Sequence, residues 1–496
     1  MTTRSLSSSH PLASIDIGSN SFRLELARLT GDRYQRLSYT KESVRLGAGL
    51  DANGMLTEAA MQRGLDCLQG FGAQLAGIPP ARVRAVATQT LREARNRDAF
   101  LARAQAVLGH PIEVIAGREE ARLIFAGVAR LQPSEKPRLV IDIGGRSTEM
   151  ILGKGRKPVL AESFGVGSVG LSMRFFADGR FTPEAFRAAQ VAAGAELEEG
   201  LTLFRPELWH EALGSSGTVG AVSQVLAAAG ITDGRVTPAA LRWCIERCLE
   251  AGSQDKLQLP GLKDDRRPVV AGGLCILYTL LMQFGIEELL PTKGALRQGV
   301  IFDLAERLQP SAAKDPRAAS VAELQRRFSV DTAQAERVAT QAEKFYRQLT
   351  PQPVPELLRE LRWAAALHET GMLVSHHDHH RHSAYVIGHA DAAGFSNNQL
   401  QRLAALALGQ RGRLRKVEAQ LQDESVRDQI IALRLAVILC HARSLPAGSP
   451  KLERSGTQLT LRCPKAWATE QARTRFLLKE EADAWARSGV LTLTVA

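Results

Sequence analysis

Two stretches decide the reading of this chain. They are Leu12-Ala-Ser-Ile-Asp-Ile-Gly-Ser-Asn-Ser-Phe-Arg-Leu-Glu-Leu-Ala27 and Leu139-Val-Ile-Asp-Ile-Gly-Gly-Arg-Ser-Thr-Glu-Met-Ile-Leu-Gly153, with Asp16 and Asp142 lying 126 positions apart. Each is an apolar run, an Asp, a tight Gly/Ser turn and a second apolar run, which predicts a β-hairpin. Working outward, the spacing predicts a helix over Ala59–Leu75, a strand over Val83–Ala87 and a helix over Asp98–Val107. A strand over Ile112–Ile115 and a helix over Glu119–Arg130 follow. Alternating strands and helices around a duplicated hairpin predict two similar α/β halves facing each other across a cleft.

The turns suit phosphate. Glycines let the backbone approach a ligand closely, so that amide N–H groups and hydroxyls reach phosphoryl oxygens. Gly18, Ser19, Asn20 and Ser21 fill that place in the first copy. Gly144, Gly145, Arg146, Ser147 and Thr148 fill it in the second. An Asp at the strand end, Asp16 or Asp142, can hold Mg²⁺ directly or through water. One such turn is ordinary hairpin punctuation, whereas two on opposed halves point to a phosphate bound between them.

Composition narrows the class. The 496 residues are 45% hydrophobic and 23% charged, which is globular, and at ~150 residues per domain the length suggests about three domains. Six cysteines form no disulfide framework, and Cys244 and Cys248 lack the further ligands of a zinc site, so a reducing compartment is expected. Met1–Ser14 reads as a polar arm without an apolar core, and the run Val269–Met282 is shorter than a ~20-residue membrane span. A soluble, cytoplasmic protein is the expectation. The net charge of +11 favours polyanions, but 5% aromatic content with no basic stripe interleaved with stacking residues argues against nucleic acid.

Asp16-Ile-Gly-Ser-Asn-Ser-Phe22 and Asp142-Ile-Gly-Gly-Arg-Ser-Thr-Glu149 resemble the two phosphate loops of the exopolyphosphatase / guanosine pentaphosphate phosphatase family. Further stretches match in order. They are Ala87-Thr-Gln-Thr-Leu-Arg-Glu-Ala-Arg-Asn96, Gly117-Arg-Glu-Glu-Ala-Arg-Leu-Ile-Phe125, Gly214-Ser-Ser-Gly-Thr218, Ala271-Gly-Gly-Leu274 and Ala295-Leu-Arg-Gln-Gly299. The resemblance implies two ribonuclease H-like (actin-like) α/β domains, over 1–133 and 134–308. It is strong over about 12–305 and looser beyond.

The resemblance assigns roles. Glu120 matches the catalytic base that would deprotonate a water for attack on phosphorus, and helix-start acidity favoured by the macrodipole is the structural alternative. Glu119 is the bland neighbour. Glu149 would position metal or water, with Asp16 and Asp142 as the other metal carboxylates. Arg92 would grip a phosphate oxygen. Ser215, Ser216, Gly217 and Thr218 read as an anion site at a helix N-terminus, or as simple caps. Two positions depart from the family pattern: Arg146 replaces a third Gly and is expected to add a positive contact, and Gln298 replaces a Glu, which puts a salt bridge or metal contact in doubt.

Beyond the predicted linker Gln309–Arg317 the pattern turns helical from Ser320 to about Leu445. We expect an all-α HD-like domain over 319–447 and a small C-terminal α/β domain over 448–496. The latter carries strands at Gln458–Arg462 and Val490–Val495 around a helix at Thr469–Arg487. Seven of eleven histidines lie between His368 and His389. HD-type phosphohydrolases use a His-Asp pair; here it is His368-Glu369, so a catalytically silent domain is expected, its histidines serving packing or polyanion contact.

The combined expectation is an Mg²⁺-assisted exopolyphosphatase releasing phosphate from inorganic polyphosphate, with a homodimer implied by the resemblance. The alternatives are removal of the 5′ terminal phosphate of guanosine pentaphosphate, a kinase or chaperone-type ATPase, and a non-enzymatic sensor of polyphosphate or guanosine tetraphosphate.

Overall fold

The computed structural model describes residues 10–308 and 315–496, apart from Asp32, 445–447, Ser449 and 468–470. The linker expected at Gln309–Arg317 falls mostly outside the described residues, as do most of the N-terminal arm and the start of the tail helix. The chain forms two compact units, 1–314 and 315–496.

In the first unit each sequence copy lands on a five-stranded sheet, and the two sheets have the same topology. One runs β3 (Arg33–Glu42), β2 (Phe22–Thr30), β1 (Leu12–Ile17), β4 (Val83–Ala87), β5 (Ile112–Val114). The other runs β8 (Lys157–Phe164), β7 (Thr148–Lys154), β6 (Arg138–Ile143), β9 (Glu211–Ser215), β10 (Leu289–Pro291). In both, the three leading strands are antiparallel and the last two join in parallel. β1 and β6 are buried along their whole length, as an apolar run covered on both faces requires. The predicted helix and strand positions agree to within about two residues; the helix expected at Glu119–Arg130 spans Gly117–Leu131.

The boundary between the halves is less simple than the division at 133/134. The helix Gly117–Leu131, read as closing the first half, packs on β7 and β8 of the second. The helix Leu296–Arg307, read as part of the second half, packs on β1 and on the Gly117–Leu131 helix. Two glycines make that crossing backbone to backbone. A Cβ on Gly299 would lie 1.7 Å from the Leu123 carbonyl oxygen, and one on Gly127 would lie 2.5 Å from that of Ala295. Val86, Leu123, Phe125, Val140, Ile151 and Val300 form one apolar cluster through this junction. A buried ion network reinforces it. Asp303 accepts from Arg84 Nη1 at 2.7 Å, Arg122 Nη2 at 2.5 Å and Arg307 Nε at 2.6 Å, while Glu119 takes both Arg122 Nε and Nη2. Glu119 is therefore part of the scaffold behind its neighbour Glu120.

In the second unit the sheet order is β11 (Lys451–Ser455), β12 (Gln458–Arg462), β13 (Thr492–Val495). The tail strands and the helix Ala472–Ser488 share one core with the preceding helices: Leu459, Leu461, Trp467, Leu478 and Trp485 belong with Phe345, Leu361, Leu403 and Ile430. Residues 448–496 thus have no separate core of their own. Glu481 fixes the tail helix, accepting from Arg434 Nε at 2.5 Å, Arg434 Nη2 at 2.6 Å and Trp485 Nε1 at 2.6 Å. Among the described residues no helix is long and apolar enough to cross a membrane.

Candidate active site

The β1–β2 and β6–β7 turns meet. A methyl group on Gly145 would come within 2.9 Å of Ser19 Cβ, so the two turns touch only because this position lacks a side chain. They are built alike: a Cβ on Gly18 would lie 3.1 Å from the Ser21 carbonyl oxygen, and one on Gly144 would lie 3.1 Å from that of Ser147. Their outer carbonyls are held from behind, Ser19 O by Gly47 N at 2.8 Å and Gly144 O by Ser168 N at 3.0 Å. Beside them opens a cavity of about 390 Å³.

Of the expected site residues, Asp16, Gly18, Ser19, Asn20, Ser21, Glu120, Asp142, Gly144, Gly145, Ser147, Gly217 and Thr218 line this cavity. Glu120 sits in the first turn of its helix, positioned by the crossing just described, and Arg92 Nη1 donates to its Oε2 at 2.9 Å. Burial pushes its carboxyl up to about 7; Arg92 pulls down, and the Asp142 and Asp16 carboxylates push up. Asp142 is pushed up to about 6, mainly by burial, with the Ser215 hydroxyl and Arg23 opposing.

The turns place the residue seven beyond each Asp directly across the strand pair: Asp16 faces Arg23, and Asp142 faces Glu149. The two copies therefore differ in charge at matched places. Arg23 Nη1 donates to Asp16 at 2.8 Å, neutralising it. Glu149 instead adds a carboxylate; burial first, then Glu120 and Asp142, raise it well above its ordinary range. Glu149 receives Ser163 Oγ at 2.8 Å and lies behind the cavity wall, not on it.

Further expectations change. Arg92 does not reach the cavity: its guanidinium bonds Gln89 Oε1 at 2.9 and 2.6 Å, the Ile115 carbonyl at 2.7 Å and Glu120, so it holds the carboxylate rather than a ligand. Arg146 turns out of its loop and pairs with Glu93 at 2.7 Å, tying the second half to the first instead of adding charge to the cavity. Thr148 Oγ1 donates to Val166 O at 2.6 Å, and Ser215 Oγ donates to Gly294 O at 2.9 Å. Both are buried supports. Ser216 and Thr218 hydroxyls both cap the Ile143 carbonyl at 2.9 Å, pinning the strand end just before the second turn, and Ser216 takes the left-handed conformation (φ 78°) to do so. Gln298 replaces a lost Glu with a donor: its Nε2 bonds both oxygens of buried Glu25, at 2.8 and 2.9 Å.

The cations on the wall were not read from the sequence. Arg23, Lys41, Lys263, Arg266, Lys293 and Arg297 come from strands, turns and a helix scattered along the chain. Arg23 alone had a signal, its matched place to Glu149 in the repeat. Arg266 packs against Gly217, where a Cβ would lie 2.0 Å from its Nη2, and burial lowers its pKa.

In the second unit several of the clustered side chains have partners within the protein. His368 Nδ1 bonds the Ala365 carbonyl at 2.6 Å, and Arg443 Nη1 neutralises Glu369 at 2.7 Å. Arg411 Nη1 donates to His379 Nε2 at 3.0 Å. Burial, with Arg411 for His379 and Lys416 for His380, pushes both imidazoles down to about 4. Guanidinium groups here pair with Glu369 and His379.

Residues 26–308 match the model described as the Ppx/GppA phosphatase family, and residues 317–482 match Ppx/GppA phosphatase, domain III. The chain belongs to the Ppx/GppA phosphatase family. A curated relative from Aeromonas hydrophila, a guanosine-5′-triphosphate,3′-diphosphate pyrophosphatase, is 38% identical over 469 residues, spanning 92% of this chain and 93% of the relative. Among solved structures, the Aquifex aeolicus PPX-GPPA enzyme is 26% identical with a TM-score of 0.50, covering 60% of this chain and 99% of that one. An exopolyphosphatase-like protein is 25% identical with a TM-score of 0.55, covering 60% and 98%. This Ppx/GppA phosphatase thus has two actin-like α/β domains and a helical C-terminal domain, and its family is one of hydrolases.

Proposed function

We propose that this Ppx/GppA phosphatase hydrolyses the terminal 5′ phosphoanhydride of guanosine pentaphosphate, releasing phosphate and guanosine tetraphosphate. The observation that carries the reaction class is the Glu120 carboxylate on the wall of a cavity floored by two matched phosphate-type turns. The near full-length likeness to a guanosine-5′-triphosphate,3′-diphosphate pyrophosphatase supports the nucleotide. Inorganic polyphosphate, the substrate expected from the sequence, is the second reading, favoured by the net charge of +11 and the cationic wall.

In this mechanism the backbone amides and hydroxyls of Gly18–Ser21 and Gly144–Ser147 hold the terminal phosphoryl group. Glu120 accepts a proton from water, the water oxygen bonds phosphorus, and the bridging P–O bond breaks toward the shortened chain. Arg92, fixed by Gln89 and the Ile115 carbonyl, is the positioning residue that aims Glu120. Among the described residues no three His, Cys, Asp or Glu side chains form a metal cluster. Mg²⁺ needs none, since it is held by one or two carboxylates together with substrate oxygens and water. Asp16 and Asp142, both on the cavity wall, fit that demand. The ion would supply charge neutralisation of the phosphoryl oxygens.

Glu120 works as a base only when ionised. With its pKa raised to about 7, kcat/KM climbs with pH up to about 7 and then levels. A profile already level at pH 5 would contradict a base in this environment. The substrate assignment is tested by measuring phosphate release from guanosine pentaphosphate and from long inorganic polyphosphate side by side, with and without Mg²⁺. The nucleotide is expected to have the higher kcat/KM, and the reverse order selects the second reading.

A further inference from the structure

Tyr39 is the one aromatic side chain on the cavity wall among the described residues, in a chain with only 5 tyrosines. It sits on β3 at the sheet edge and stays 40% exposed. The Arg297 guanidinium carbon lies 4.9 Å from its ring centroid. That arginine is held in place from below, its Nε donating at 3.2 Å to Glu25, which is buried and also bonded by Gln298. Glu25 is the cross-strand partner of Tyr39 on β2, so one sheet register sets carboxylate and ring, and the bond to Glu25 ties the guanidinium from the helix Leu296–Arg307 to both. Arg36, exposed, stands off the same ring at a looser 5.7 Å.

A guanidinium–ring pair fixed in advance at the mouth of a phosphate cavity has no counterpart in an inorganic phosphate chain, which offers oxygens but no π-face. Nucleobases do stack on aromatic rings and on arginine planes. The geometry points to a nucleobase subsite: the guanine of the substrate extends the Tyr39–Arg297 pair while its 5′ phosphates run inward to the two turns. Arg23 and Arg266 line the same cavity as Tyr39 and supply the cationic surround a nucleotide's phosphates need. This inference rests on the nucleotide reading above and names what recognises the base.

The test compares kcat/KM for guanosine pentaphosphate with kcat/KM for inorganic tripolyphosphate in wild type, Tyr39→Ala and Tyr39→Phe. Tyr39→Ala is expected to lower the ratio by about tenfold, the size of one lost base stack, chiefly through KM. Tyr39→Phe keeps the π-face and holds the ratio within about twofold. An unchanged ratio in Tyr39→Ala, or an equal fall on both substrates, overturns the subsite while leaving the hydrolase intact. A wild type that cleaves tripolyphosphate and not the nucleotide overturns the nucleotide reading, and the subsite with it.

Discussion

Glu120→Gln is expected to lower phosphate release by about 10²–10⁴-fold, the usual contribution of a positioned general base. The amide keeps the shape and can still accept from Arg92, so the scaffold around Gln89 and Ile115 stays as it is. It cannot take a proton from water. The same change removes one negative charge from a pocket already holding Asp16 and Asp142, so binding of the anionic substrate is retained or strengthened. Single-turnover phosphate release together with equilibrium binding separates the two effects. Turnover equal to that of wild type removes Glu120 from the mechanism. Lost binding with lost turnover makes it a binding residue. The variant also decides against a pure sensor, since a sensor has no turnover to lose.

The second large effect belongs to Asp303, which is not on the cavity wall. Its carboxylate collects Arg84, Arg122 and Arg307 where the helices Gly117–Leu131 and Leu296–Arg307 cross, and it is held well below the usual carboxylate range despite its burial. Asp303→Ala removes the shared acceptor from three largely buried guanidinium groups. Breaking one partner out of such a network costs about 3–5 kcal/mol, readable as a fall in the denaturation midpoint. Arg84 keeps Glu113 and Arg122 keeps Glu119, so the lower part of that range is expected. A depressed folded-state pKa places this stabilisation above the ordinary carboxylate pKa of ~3.9, and it is lost as pH falls below that value. An unchanged midpoint at pH 7 would mean the remaining acidic partners fully replace Asp303. Because the network carries the first turn of the Gly117–Leu131 helix, some loss of kcat is expected alongside.

The repeat around Asp16 and Asp142 was readable from local pattern because each copy uses only near-neighbour signals. An apolar run, a Gly/Ser turn and a second run fix a hairpin, and they did so on matching strands of matching sheets. Glu120 was also legible, as the carboxylate opening a helix in a family-like stretch. The parts that misread share one cause: a side chain's position in sequence does not say which way it turns. Arg92 and Arg146 both sit in ligand-like places, yet each found an acidic partner within the protein, Glu120 and Glu93 respectively. Thr148 and Ser215 looked like ligand hydroxyls and became supports for backbone carbonyls. For the histidine run, expected to serve packing or polyanion contact, the structure adds that burial beside Arg411 and Lys416 pushes His379 and His380 down to about 4.

The sequence alone determined the duplicated α/β architecture, the two phosphate-type turns and the candidate base, because short-range periodicity and glycine placement set local backbone form. Tertiary structure decided the rest. It paired Asp16 with a cation and Asp142 with a carboxylate at equivalent register positions, and exchanged two helices between the halves. It also brought Lys41 onto one cavity wall with Arg266 and Arg297, which lie more than 200 residues further along the chain. Charges act through space, and the distances that set their effect exist only once the chain has packed.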